Sequence, residues 1–236
     1  MSKSITSLLK TNPFVTENLS FGAPNAKHND DYTICGAAST ISAAKWIIRE
    51  IPLLLERHGI KTILDMPCGD YNWMRKVKFL NDVTYIGADY DESLIEINKT
   101  RYPDVDFRVI DALSDPIPTV DLVFCRDLFT HLPFEDTKTA IANIKASGAK
   151  YLLTTSFSWR SFAPRDISRP QQSKMAPWTP ETTVQWTRLN LFMEPFNFPP
   201  CIDFIVEFNQ ERDSPNNEQN IGFGDKILGL WECSAL

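Results

Sequence analysis

The sequence predicts an α/β protein built on a parallel, doubly wound sheet. Three observations carry that expectation. Short apolar runs alternate with helical stretches from residue 61 to residue 155, the pattern of parallel strands joined by crossover helices. Three of those runs lead into an aspartate, at Asp65, Asp89 and Asp111. The chain then closes with two strand-like runs around a polar stretch, which reads as an antiparallel hairpin with a long loop.

The elements follow in order. Residues 1–38 carry Pro, Asn, Gly and Asp with modest apolar content, so a short helix over 5–10 is followed by loop. A helix over 40–58 is capped by Ser39 or Thr40 and places Ile41, Ala44, Ile48 and Leu55 on one face. Pro52 is expected to divide or kink it, and Gly59 to stop it. Strand 62–65 leads through a Pro-Cys-Gly-Asp turn into a helix over 71–79. Strand 83–88 ends at Asp89, and Asp91 is the N-cap of a helix over 91–101. Strands 105–110 and 121–125 flank a loop held by Pro116 and Pro118. A helix over 134–147 stops at Gly148, and strand 151–155 follows. Residues 158–200 hold seven prolines and three tryptophans with little periodicity, so they read as a long ordered lid. Strands 202–208 and 226–231 form the hairpin. The expected division is a helical cap segment over 1–59 and one sheet domain over 60–236 with the lid inserted at 158–200.

Composition narrows the function. The 236 residues suffice for one large core, and the formal net charge is −6 with a pI near 5.1. An acidic chain is poorly suited to a phosphate backbone, so no nucleic-acid partner is expected. No apolar run approaches the roughly 18 residues that span a bilayer, and the first residues lack the pattern of a signal peptide. Five scattered cysteines without a CxxC suit reduced thiols in the cytoplasm, and the three histidines are too dispersed for an obvious metal cluster.

The chemistry-bearing signal is strand, turn, helix, strand, acid. Asp65, Pro67, Cys68, Gly69 and Asp70 follow the first strand, and Asp89 ends the second, twenty residues after Gly69. Such a turn lets the backbone approach a nucleotide, and the acid can hold both ribose hydroxyls. The pattern alone fits NAD, flavin and S-adenosylmethionine (SAM) sites. One glycine remains of the usual three, with Pro67 and Tyr71 where the others would stand. A diphosphate-binding loop suffers from those losses more than a SAM site, because SAM carries no phosphate. Asp111 can reach the exocyclic amine of adenine, beside Ala112. The fourth strand ends in CRDLFTHL at 125–132, and the terminal hairpin replaces the sixth parallel strand of a dehydrogenase.

With those residues in view, the chain resembles the class I SAM-dependent methyltransferases, and more narrowly a group of bacterial methyltransferase-like proteins of mostly unassigned substrate. The matching segments are CGAAST at 35–40, LDMPCGDYNW at 64–73, CRD at 125–127, HL at 131–132, YLLTT at 151–155, NL at 190–191 and KILGLW at 226–231. The resemblance implies a seven-stranded Rossmann-like sheet of order 3-2-1-4-5-7-6 with the last strand antiparallel. It implies SAM as cofactor, held by Asp65, Pro67, Cys68, Gly69, Asp70, Asp89, Tyr90, Asp111, Ala112 and Arg126. Asp70 either meets the SAM amino group or caps the following helix.

Were a helix to begin at Asp127, Asp127 and His131 would lie four apart on one face. They would then form an acid–base pair or a substrate clamp, or else a cap and a structural histidine. His131 is the best candidate base, since an ordinary imidazole titrates at about 6.5. The acceptor is expected to be a small molecule, a sugar or other hydroxyl compound, against Trp159, Arg160, Trp178 and Trp186 of the lid. The segment 33–40 is expected to close over the cofactor. The rival readings are a SAM-binding protein without turnover and a nicotinamide-dependent oxidoreductase.

Overall fold

The computed structural model of the protein describes residues 33–80, 82–157, 188–209, 213 and 226–236. The helix expected over 5–10 lies outside them. The first described helix, α1 (Lys45–Arg57), begins five residues later than the sequence suggests, because residues 40–44 form turns. Pro52 does not divide α1, which runs through it without a break. Gly59 stops it at φ 62, with Ile60 N donating to Leu55 O and Gly59 N to Glu56 O. That pair of bonds satisfies the last carbonyls of the helix, and the left-handed φ suits a residue without Cβ.

The strands are β1 (Thr62–Asp65), β2 (Thr84–Asp89), β3 (Asp106–Val109), β4 (Leu122–Cys125), β5 (Tyr151–Phe157), β6 (Asp203–Phe208) and β7 (Lys226–Glu232). They form one sheet of order β3-β2-β1-β4-β5-β7-β6. The first five pair in parallel, whereas β7 runs antiparallel to both β5 and β6. The expected topology is therefore present, strand for strand.

Alternation along the strands supplies two cores. Ile63, Leu122, Phe124, Leu153, Ile205, Leu228 and Leu230 face α1 together with Trp73 and Met74. Leu64, Val123, Cys125, Leu152 and Trp231 face the opposite side. There they meet α3 (Phe134–Ala146) and the 188–200 segment. A sheet covered on both faces needs apolar residues at successive positions, which is why β4 reads as an unbroken apolar run and β5 opens on Tyr-Leu-Leu. Helix α2 (Glu92–Arg101) starts as expected: Asp91 Oδ1 accepts from Leu94 N at 3.1 Å. Helix α3 ends as expected, with Gly148 at φ 77 just beyond.

One expected helix is missing. In place of a helix over 71–79 there is a single 3-10 turn, Met74–Lys76. Tyr71 sits at φ 59, a left-handed conformation that cannot continue into a right-handed helix, and the Asp70 carboxylate accepts from Asn72 N instead. Burial of Trp73 and Met74 against β1 and β4 fixes this local path.

Candidate active site

The loops at the carboxyl ends of β1 and β2 build a cradle around Gly69. Its φ of 56 is left-handed, its N–H donates to Asp89 Oδ2 at 3.2 Å, and its carbonyl accepts from Asn98 Nδ2 at 2.7 Å. A Cβ at Gly69 would meet Cys35 Sγ at 2.9 Å, so any other residue would have to displace that side chain as well as adopt the left-handed backbone. Cys68 is buried, with its N–H on Ala88 O at 2.7 Å, so the loop is tied directly to β2. Burial also pushes the Cys68 thiol far up, so it stays neutral.

Tyr71 explains how the chain dispenses with a glycine. Its backbone adopts the glycine-like conformation, while its ring turns away into a cluster with Tyr85, Tyr102 and Phe107 at centroid distances of 5.3, 5.1 and 5.3 Å. The lost glycine at Pro67 has no comparable account.

Asp89 is 5% exposed. Oδ2 accepts from Gly69 N, and Oδ1 accepts from Asp91 N at 3.1 Å. Burial raises its pKa, and the two amide bonds oppose that rise. Each carboxylate oxygen retains acceptor capacity after one bond. The donor set therefore fits a ribose, whose two hydroxyls both donate to an acid. Tyr90 beside it is two-thirds exposed and open to the cradle's surroundings. Asp111 receives Leu113 N on Oδ1 at 2.8 Å and braces the turn after β3, and the carbonyl of buried Ala112 accepts from Asn143 Nδ2 at 3.0 Å.

Asp65 and Asp70 stand on either side of the β1 turn. Asp65 is 2% exposed and accepts from Tyr85 Oη at 2.7 Å. Burial raises its pKa to about 8, against the pull of Tyr85 and Arg126. Asp65 is therefore largely protonated at neutral pH. In the unfolded chain the group ionises near 4. The folded form binds the proton more tightly, so stability falls as pH rises between about 4 and 8. Asp65→Asn is expected to flatten that fall, gaining on the parent protein as pH rises; urea midpoints across this range test it. A variant that tracks the parent at every pH would remove the assignment.

Asp70 does not cap a helix, since none follows the turn. Oδ2 accepts from Thr33 Oγ1 at 2.8 Å and Ile34 N at 3.0 Å, and Oδ1 accepts from Asn72 N. Asn72 Nδ2 donates to Ser39 O, and Asp70 N to Cys35 Sγ. The segment 33–40 thus lies strapped across the β1 loop.

The β4 end departs most from expectation. Asp127 does not start a helix: its φ is 62, and the next element is a 3-10 turn, Phe129–His131. Asp127 and His131 therefore do not share a helix face. Asp127 Oδ2 accepts from Lys226 Nζ at 2.7 Å, and Oδ1 from Thr155 Oγ1 at 3.2 Å. Burial opposes its charge, but Lys226 and Arg126 outweigh that and hold the carboxyl below its usual range, with a smaller pull from His131. Arg126 is buried beside the strap. It donates to Glu207 Oε1 and to Ala38 O, and lies over the Trp73 ring at 5.4 Å. His131 is exposed at the rim.

Glu207 and Lys226 escaped the sequence reading. The available signal was Glu207 itself, a charge at the inward phase of β6 beside Ile205. Trp159, Arg160, Trp178 and Trp186 lie outside the described residues. Of the other lid aromatics, Phe196 packs on Phe134 at 5.4 Å and Phe192 on Trp231 at 5.6 Å, so both anchor the lid's end to the body. Among the described residues no group of His, Cys, Asp and Glu could hold a metal, and no helix is long and apolar enough to cross a membrane.

Sheet order, the antiparallel β7 and the Gly69–Asp89 cradle define a class I SAM-dependent methyltransferase fold. Residues 63–148 match the family model described as "Methyltransferase domain". This segment contains both Gly69 and Asp89. The chain is 36% identical over 100 residues to "Putative methyltransferase 235L" of Invertebrate iridescent virus 6, a match that covers 39% of this chain and 37% of that protein. The matched region thus spans little more than a third of the curated relative. Among solved structures, the PH0226 protein of Pyrococcus horikoshii OT3 superposes with a TM-score of 0.51 at 15% identity, over 81% of this chain and 89% of that one. The 4+2 cyclase SpnF superposes with a TM-score of 0.52 at 14% identity, over 78% and 79%. The nicotinamide-dependent reading is set aside by the methyltransferase domain and by the antiparallel seventh strand.

Proposed function

We propose that the protein transfers the methyl group of SAM to a small-molecule acceptor, a sugar or other hydroxyl compound. The observation that carries the reading is Asp89: a buried acid at the end of β2, fixed by two backbone amides, within a methyltransferase domain. Bound SAM supplies an electrophilic methyl on a sulfonium that is already a good leaving group. The acceptor oxygen bonds to the methyl carbon as the carbon–sulfur bond breaks, so the chain's task is mainly alignment and exclusion of water. The strap at 33–40, tied down by Asp70 and Asn72, closes one side of the site. The lid residues Trp159, Arg160, Trp178 and Trp186 supply the acceptor's walls. His131 takes the hydroxyl proton at the rim. The acidic charge and the five free cysteines suit a small acceptor in the cytoplasm rather than a nucleic acid.

The reading is tested by calorimetric titration with SAM, followed by a search for S-adenosylhomocysteine (SAH) release with candidate hydroxyl acceptors. Charge-assisted hydrogen bonds of the kind Asp89 would make are each typically worth about 1.5–3 kcal/mol. Asp89→Ala is therefore expected to weaken SAM binding roughly tenfold or more with the fold retained. Unchanged affinity in a folded variant would remove Asp89 from the site.

A further inference from the structure

Four ionisable side chains from three distant stretches of chain meet at the carboxyl edge of the sheet. Arg126 and Asp127 leave the end of β4, and Glu207 sits near the end of β6. Lys226 opens β7, which runs the opposite way and so starts at the same edge. Lys226 Nζ donates to Glu207 Oε1 and to Asp127 Oδ2, each at 2.7 Å, and Arg126 donates to the same Glu207 oxygen. The cluster has an inner and an outer end. Arg126 and Glu207 have side chains 5% exposed, whereas Lys226 and Asp127 reach 13% and 17%.

Three features mark the outer end as more than a brace. Lys226 carries three N–H donors and places two of them on carboxylates of the cluster. Asp127 is held at φ 62, a conformation that costs a residue with a Cβ and collects at functional sites. Its neighbour Arg126 donates to Ala38 of the strap, which is tied to the β1 loop through Asp70 and Asn72, so the pair lies next to the cofactor cradle.

We propose that Lys226 and Asp127 clamp a non-reacting hydroxyl of the acceptor, and that the acceptor is a neutral compound with at least two hydroxyls. The inference rests on the methyl-transfer reading above. A hydroxyl both donates to a carboxylate and accepts from an ammonium, so it satisfies adjacent groups of opposite charge at once. An acceptor ammonium in the same place would face Lys226, and an acceptor carboxylate would face Asp127. The reacting hydroxyl, on the neighbouring carbon, stays free to give its proton to His131.

The test uses SAH-loaded protein and three probes that share a ring and one hydroxyl: cyclohexanediol, aminocyclohexanol and hydroxycyclohexane carboxylate. Binding is read by ligand-observed NMR titration, which needs no turnover. The diol is expected to bind at least about tenfold more tightly than the other two, the effect of one well-made hydrogen bond. The paired variant Asp127→Asn with Lys226→Met removes one charge of each sign. It should lose that ranking while keeping SAH affinity. The wild-type ranking is informative even if the variant does not fold. Equal or tighter binding of the amine or the carboxylate, no diol binding, or a ranking kept by the folded variant would overturn the clamp. Failure to bind SAH would overturn the methyl-transfer reading together with it.

Discussion

Glu207→Gln is expected to lower the unfolding free energy by about 3–5 kcal/mol, the usual cost of removing one partner from a buried ion pair. Glu207 is 6% exposed and takes hydrogen bonds from Arg126 and Lys226 through one oxygen. A guanidinium cannot escape by losing its proton. Burial works against the charge of Arg126, yet the carboxylates of Glu207 and Asp127 raise its pKa further. The amide would leave the buried guanidinium with the Ala38 carbonyl and, as the anionic neighbour within ion-pair reach, Asp127 at 3.9 Å. Chemical denaturation at fixed pH measures the loss. The double variant Glu207→Gln with Arg126→Met should recover much of it, since no isolated charge then remains. A loss below about 1 kcal/mol in the single variant would mean that water reaches Arg126 and that the cluster is not dry.

His131→Ala is expected to lower turnover by about 10²–10⁴ once an acceptor is in hand, the usual contribution of a positioned general base. SAM affinity should be unchanged, because the cradle is built from the β1 and β2 loops and His131 stands beyond β4. A proportionate fall in kcat and kcat/KM, with KM steady, would place its action in the transition state. An acceptor that arrives with its nucleophile already deprotonated would need no base. Normal turnover in His131→Ala with the physiological acceptor would therefore assign the histidine to the rim alone. Asp127 is already paired with Lys226, and its carboxyl is held below its usual range by Lys226 and Arg126.

Local rules in the sequence determined most of the scaffold. Strand alternation, the Asp91 cap and the stops at Gly59 and Gly148 all depend on residues within a few positions of one another, so they could be read directly and are present as expected. Asp89 was legible for the same reason, because the β1-turn-β2 spacing alone brings an acid beside Gly69. Local reading failed where backbone conformation turned on distant packing. Tyr71 and Asp127 both sit in strands-to-loop exits that look helical in sequence. Tyr71 is drawn into the left-handed region by an aromatic cluster that includes Tyr102 and Phe107, and Asp127 is fixed there by Thr155 and Lys226. Only the tertiary structure decided the charge cluster, whose bonds join residues 81 and 99 positions apart. In the chain β4 is separated from β6 and β7 by α3, β5 and the stretch beyond, and opposite charges at their ends meet only after the sheet has set its order. The fold and the Gly69–Asp89 cradle were thus written in nearby pattern, whereas the charge cluster was settled by which strand ends the sheet brought to one edge.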